Sequence, residues 1–203
     1  MIPLLIATFN AGKFREISAI LHPCLPGVSF RSLADLAITG EIAETGTTFA
    51  ENAALKAIGY SELTGLPTLA DDSGLEVIAL DRRPGVFSAR YGAPQAADDA
   101  GRIAFLLAEM AGKTDRRARF VCHVCLARGR QILTETEGTA EGELLLAPRG
   151  TGGFGYDPLF LYPPLGLTFA ELDGAQKNLV SHRANALRLL APRLGALHES
   201  FRS

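Results

Sequence analysis

The segment Thr151-Gly152-Gly153-Phe154-Gly155-Tyr156-Asp157-Pro158 constrains the fold most strongly. A stretch this rich in glycine suits neither a helix nor an ordinary strand, and ordering it costs conformational entropy. A stable chain that keeps it uses the open backbone. Glycines let main-chain N–H groups approach a ligand, a Phe or Tyr ring can stack on a flat base, and a carboxylate can accept from a ring N–H. The segment therefore suggests a nucleobase pocket. A tight turn between strands, carrying two core aromatics, accounts for the same residues.

Around that segment the chain alternates between strand-like and helix-like stretches. Residues 2–8 read as a strand, Phe9 to Gly12 as a turn, and Lys13 to about Leu21 as a helix ended by Pro23 and Pro26. A short strand fits residues 28–31. Thr48-Phe49-Ala50-Glu51 is a capping box that starts a helix to about Leu63. That helix places Asn52 and Lys56 on the stripe of Phe49, Ala53, Ala57 and Tyr60, so both polar groups need partners or line a site. Residues 68–70 and 75–80 read as strands separated by a turn at Asp71 to Gly74. Asp98 to Met110 reads as an amphipathic helix, and residues 118–127 and 131–137 as a hairpin. Residues 143–147 and 159–161 read as further strands, and a last helix begins at Ser181. With no repeat or linker, one α/β domain over residues 1–203 is expected.

Composition narrows the function. The 203 residues carry 20 basic and 22 acidic side chains, a net charge of −2, which lacks the basic footprint of a nucleic-acid binder. No apolar run reaches the length of a membrane span, and the apolar start reads as a strand rather than a signal peptide. Three cysteines suit a reducing compartment, so a cytoplasmic protein is expected. Cys122 and Cys125 form a CxxC, but on a strand they point to opposite faces, and both read as core cysteines with His123 as a neighbour.

Three clusters carry chemistry. Thr8-Phe9-Asn10-Ala11-Gly12-Lys13 leads from a strand into a helix N-terminus, where free N–H groups and the dipole favour phosphate. It is not a P-loop, because the leading glycine is missing and Phe14 stands where Ser or Thr would hold a metal. An ordinary strand-to-helix turn would look similar. Asp71-Asp72-Ser73-Gly74 sets two carboxylates side by side, which repel unless a cation neutralises them. Mg²⁺ with substrate phosphates suits that arrangement, with Glu44 preferred over the capping Glu51 as a further ligand. A solvated turn is the simpler alternative. Gln176-Lys177-Asn178 and Ser181-His182-Arg183 put cations at a helix start, where an anion is called for, although a solvated surface turn accounts for the same residues. Arg90, in Ser88-Ala89-Arg90-Tyr91, could serve the site or an internal ion pair.

In this order, together with Glu44-Thr45-Gly46 and Phe49-Ala50-Glu51-Asn52-Ala53, the motifs resemble the inosine triphosphate pyrophosphatase family over nearly the whole chain. The resemblance implies Mg²⁺-dependent hydrolysis of ITP, dITP and XTP to the monophosphate and pyrophosphate. It implies an elongated, two-lobed α/β domain with a central mixed, twisted sheet flanked by helices and a cleft between the lobes. By the same resemblance, Thr8, Phe9, Asn10, Ala11, Gly12 and Lys13 hold the triphosphate, and Glu44 and Asp72 bind the metal. Asp72 also takes a catalytic role. Ser73, Phe154, Gly155, Tyr156, Asp157, Lys177, His182 and Arg183 bind substrate, and the protein is a homodimer. Phe9 and Ala184 depart from the family pattern. A pyrophosphatase for another modified nucleotide and a nucleotide-binding module without turnover are the competing readings.

Overall fold

The computed structural model describes residues 3–200, with side chains described through residue 194. The ends of the expected 1–203 domain, and Ile2 of the expected first strand, lie outside the described residues. A seven-stranded sheet has the order β2-β1-β3-β4-β5-β6-β7. Its strands are β1 (Leu4–Ile6), β2 (Phe30–Ser32), β3 (Thr68–Val77), β4 (Arg117–Arg128), β5 (Gln131–Leu144), β6 (Phe160–Tyr162) and β7 (Leu167–Thr168). β1 pairs in parallel with β2 and β3, whereas β5–β6 and β6–β7 are antiparallel, so the sheet is mixed. The helices are α1 (Ala11–Leu21), α2 (Phe49–Thr64), α3 (Asp99–Glu109), α4 (Gly174–Val180) and α5 (His182–Ser200). None among the described residues is long and apolar enough to cross a membrane.

Two compact units share the chain. The first holds residues up to Asp72, Cys122–Gly138 and the chain from Arg183 onward. Its apolar groups form two layers. Ile17, Leu21, Leu69, Cys122, Val124, Leu187 and Leu190 make one layer, and Leu5, Ala53, Ala57, Tyr60, Ala70 and Cys125 the other. Neighbours such as Leu69 and Ala70 enter opposite layers because successive strand side chains alternate. Cys122 and Cys125 likewise take opposite faces, as the sequence predicts. The second unit is Ser73–Val121 and Thr139–His182. One cluster forms its core, including Leu75, Leu106, Phe120, Tyr156, Phe160 and Phe169.

Several elements differ from the sequence expectations, among them the strand expected over residues 75–80, which ends at Val77 where a 3-10 turn, Ile78–Leu80, takes over. The segment expected as a turn at Asp71 to Gly74 is the middle of a continuous strand, β3. β5 runs on to Leu144, so the separate strand expected from Glu143 is its continuation. Gly142 lies where a side chain would meet the Leu161 carbonyl, at the pairing with β6. A short helix, α4, precedes α5, capped by Asp173 and Gln176 reciprocally. The capping box at Thr48 and Glu51 is formed as expected, and Gly65 ends α2 with φ +70°.

Candidate active site

β1 delivers Thr8, Phe9 and Asn10 to the start of α1. The Asn10 side chain accepts from Gly12 N at 2.8 Å and Lys13 N at 3.0 Å, and Thr8 Oγ1 accepts from Asn10 N at 3.1 Å. The helix therefore begins at Ala11, two residues before the sequence expectation, because Asn10 caps it. Asn10 satisfies two of the N–H groups a helix start leaves over. Phe9 is 48% exposed, with its ring edge toward Tyr60. Lys13 reaches Asp71 Oδ2 at 3.1 Å.

On β3, Asp71 and Asp72 are 2% and 6% exposed and point to opposite faces. Their nearest ion-pair partners differ, although Lys13 and Lys56 are felt by both. Asp71 meets Lys13, the Arg183 guanidinium at 3.2 Å and the Cys122 thiol, on the α1/α5 face. Burial alone would raise this carboxyl, but Lys13, then Arg183 and Lys56, hold it well below the usual carboxylate range. Arg183, fully buried, also pairs with Glu16 of α1. The cation at the start of α5 is thus answered by two carboxylates of the protein itself.

Asp72 faces α2. Its Oδ2 accepts from Asn52 Nδ2 at 3.2 Å, and its Oδ1 lies 3.5 Å from Lys56 Nζ. Lys56 in turn lies 2.5 Å from Glu44 Oε1. The two polar residues on the α2 stripe thus find their partners. Asn52 Oδ1 also accepts from Gly46 N at 2.8 Å, in a place where a Gly46 side chain would collide with Asn52. Tyr60 anchors the same loop by donating to Gly40 O at 3.0 Å. Burial pushes the Asp72 carboxyl up, with Lys56 and Lys13 opposing and Glu44 and Asp71 assisting. Glu51 is held by the Thr47 and Thr48 N–H groups at 2.6 and 3.1 Å, which leaves Glu44 as the acid facing Asp72's ammonium partner.

The Glu44 and Asp72 oxygens gather around a cation, the Lys56 ammonium, and hard carboxylate oxygens of this kind suit Mg²⁺. Among the described residues no three His, Cys, Asp or Glu side chains converge into a metal cage. A pair of carboxylates instead fits an ion that keeps water and substrate oxygens in its shell, which is how Mg²⁺ is usually held.

In the second unit the glycine segment is tied down by acids. Asp157 Oδ2 accepts Phe154 N at 2.9 Å and Lys177 Nζ at 2.5 Å. Gly153, at φ +71°, lies against Asp157 so closely that any side chain would strike the carboxylate. Lys177 Nζ also sits 4.6 Å over the half-buried Phe154 ring. Lys177 lies in the last turn of α4, not at the start of the final helix, so its charge agrees with the helix dipole. His182 stacks on Phe120 at 4.7 Å. Tyr156 is a core residue whose hydroxyl donates to Ser88 O at 3.0 Å, so of the two aromatics in the segment only Phe154 is more than marginally exposed. Ser73 is the half-buried first residue of this unit. Arg90 lies 5.1 Å over Phe87.

In the first unit the structure thus places Lys13 and Arg183 with Asp71 on one face of β3, and Glu44 and Asp72 with Lys56 on the other; in the second unit it brings together Phe154, Gly155, Asp157 and Lys177. Sequence reasoning did not reach Glu16, whose role depends on a partner 167 positions away.

The Ham1 family model matches residues 4–193. A protein of Exiguobacterium sp. called dITP/XTP pyrophosphatase is 50% identical over 187 residues, covering 92% of this chain and 94% of that one. A protein of the same name from Gloeobacter violaceus is 49% identical, covering 92% and 91%. The solved structure of a HAM1 protein from Coxiella burnetii superposes with a TM-score of 0.86 at 40% identity, covering 97% of this chain and all of that one.

Proposed function

The chain belongs to the Ham1 family, and from that premise we propose that it is a hydrolase of deaminated purine nucleoside triphosphates, dITP and XTP among them, releasing the monophosphate and pyrophosphate. The observation that carries the catalytic assignment is the Glu44–Lys56–Asp72 constellation, two acids already gathered around a positive charge. Pure binding of a polyphosphate does not call for acids beside it.

Phosphoryl transfer leaves the protein little covalent work, so positioning and charge neutralisation dominate. The α1 start, with Asn10 and Lys13, takes the phosphate tail, and Lys13 steadies the charge building on the leaving pyrophosphate. Glu44 and Asp72 would hold Mg²⁺, which would supply further charge neutralisation on phosphate oxygens. Asp72, held by Asn52 and facing the Lys56 ammonium, is the acid assigned to take the proton of the water attacking the α-phosphorus. Lys56 keeps the two acids apart and oriented. Arg183, engaged by Asp71 and Glu16, fixes the frame behind Lys13.

Base selection falls to the glycine segment. Hypoxanthine and xanthine offer an N1–H that the Asp157 carboxylate accepts and an O6 that a main-chain N–H meets. Adenine would bring acceptor to acceptor and donor to donor, a mismatch that rejects by large factors. Phe154 stacks on the ring. We further propose a cytoplasmic homodimer acting through one catalytic domain, checked by cell fractionation and light scattering.

The decisive assay follows pyrophosphate release from dITP, ITP, XTP, GTP and ATP, with and without Mg²⁺. Pyrophosphate from the deaminated purines, at least about a hundredfold ahead of ATP in kcat/KM, is expected. Equal use of ATP, or release of orthophosphate, would overturn the reading.

A further inference from the structure

Asp99, the first residue of α3, belongs to none of the motifs described above. Its Oδ2 accepts the Gly155 N–H at 2.6 Å, and its Oδ1 is held by Arg102, one turn further along the helix. The other edge of the same peptide, the Phe154 carbonyl, accepts Asp157 N at 3.3 Å. The preceding peptide is anchored as well, with Phe154 N on Asp157 Oδ2. Two consecutive peptide planes are therefore pinned, one by Asp157 and one by Asp99 together with Asp157. Phe154 lies between them, so these bonds set the direction in which its side chain leaves the backbone, with Lys177 4.6 Å over the ring. The flanking Gly153 and Gly155, at φ +71° and +62°, contribute no side chain that could do this. A glycine-rich loop otherwise samples many conformations.

We infer that Asp99 is a positioning residue for base selection: by holding the Gly155 N–H it fixes the Phe154 ring at the height from which Asp157 reads the purine edge. This rests on the segment being the base site. The residues assigned to the phosphate tail lie in the first unit and are not part of its task, so its loss weakens recognition of the base rather than the chemical step.

The test compares Asp99→Ala, Asp99→Asn and Arg102→Ala with wild type in KM and kcat for dITP, XTP and ATP, alongside thermal unfolding. Removing a charged acceptor from a backbone N–H is expected to raise KM for dITP and XTP about tenfold in Asp99→Ala, and to cut the dITP-to-ATP ratio of kcat/KM by a similar factor. kcat is expected to stay within about threefold. Asp99→Asn keeps an amide oxygen for Gly155 and recovers most of the loss. Arg102→Ala, which leaves the Gly155 bond in place but loosens the carboxylate, raises KM about threefold and keeps the proposal testable should Asp99→Ala not fold. Unchanged KM and selectivity in folded Asp99→Ala would overturn the inference. So would equal losses for dITP and ATP, or wild-type KM in Arg102→Ala when Asp99→Ala is unfolded. A wild-type enzyme active on dITP but indifferent to Asp99 defeats this inference alone, whereas one inactive on dITP and XTP defeats the functional reading with it.

Discussion

Asp71 and Asp72 are neighbours on one strand and both nearly buried, yet their surroundings push them in opposite directions. Asp71 is walled in by Lys13 and Arg183, and Glu16 completes the network behind the guanidinium. Its charge is answered in advance, and its carboxyl sits well below the usual range. Asp72 meets the Asn52 amide and the Lys56 ammonium, and burial pushes its carboxyl up. The alternation of a strand separates the two environments. A pair of acids whose environments diverge in this way marks a division of labour. One is held as a fixed ion of the framework, and the other is free to exchange its cation or accept a proton.

The sharpest way to break this comparison is to neutralise each acid in turn. Asp72→Asn keeps the shape and the Asn52 contact, and turnover is expected to fall by about three orders of magnitude while nucleotide still binds. Steady-state kinetics paired with calorimetric binding of a nucleotide reads both quantities. Near-normal turnover would remove Asp72 from the chemistry. Asp71→Asn leaves the buried Arg183 and the Lys13 ammonium short of a counter-charge, and is expected to cost about 3–5 kcal/mol of stability.

Stability against pH gives the same contrast with opposite signs. Asp71 has a depressed folded-state value, so its contribution is present above the ordinary unfolded value, about 3.9, and is lost as pH falls through the folded value. Asp72 has a raised value, so its ionised form weighs against the fold at neutral pH, and the penalty fades as pH drops through that value. Without nucleotide or Mg²⁺, Asp72→Asn is therefore expected to be more stable than wild type at pH 7, and Asp71→Asn less stable. Denaturant titrations at pH 4, 5.5 and 7 decide it. Both variants shifting in the same direction would show that the faces are not electrically distinct.

Local signals were legible in the sequence and distant ones were not. The box at Thr48 and Glu51, the amphipathic α3 and the β4–β5 hairpin are written within a few residues each. The Asp173-to-Gln176 box of α4 is of the same kind and could have been read. β3 was hidden because Asp-Asp-Ser-Gly carries turn signals and poor strand propensity. The strand persists there because its carboxylates find Lys13, Lys56 and Arg183, the last 112 positions away. Among site residues, the polar stripe on α2 pointed correctly to Asn52 and Lys56, since a buried polar group needs a partner. Asp99 gave no such hint, because an acid in the first turn of a helix already has a reason to be there.

The smallest effect concerns the thiols, which report on the same two faces. Cys122 lies on the Asp71 face, and burial, then Asp71, pushes its thiol up. Cys125 lies on the opposite face, pushed up to about 12 by burial and then by Glu135. Cys24 is exposed. The thiolate is the reactive form, so at pH 8 iodoacetamide is expected to modify only Cys24 in the native chain and all three cysteines after unfolding. Neutralising Asp71 should loosen its own face first, through Arg183, so Cys122 is expected to label several-fold faster in Asp71→Asn while Cys125 lags. Peptide mass spectrometry resolves the two sites. Equal acceleration of both would mean that the layers on either side of the sheet open as one body, and that the strand divides charge without dividing stability.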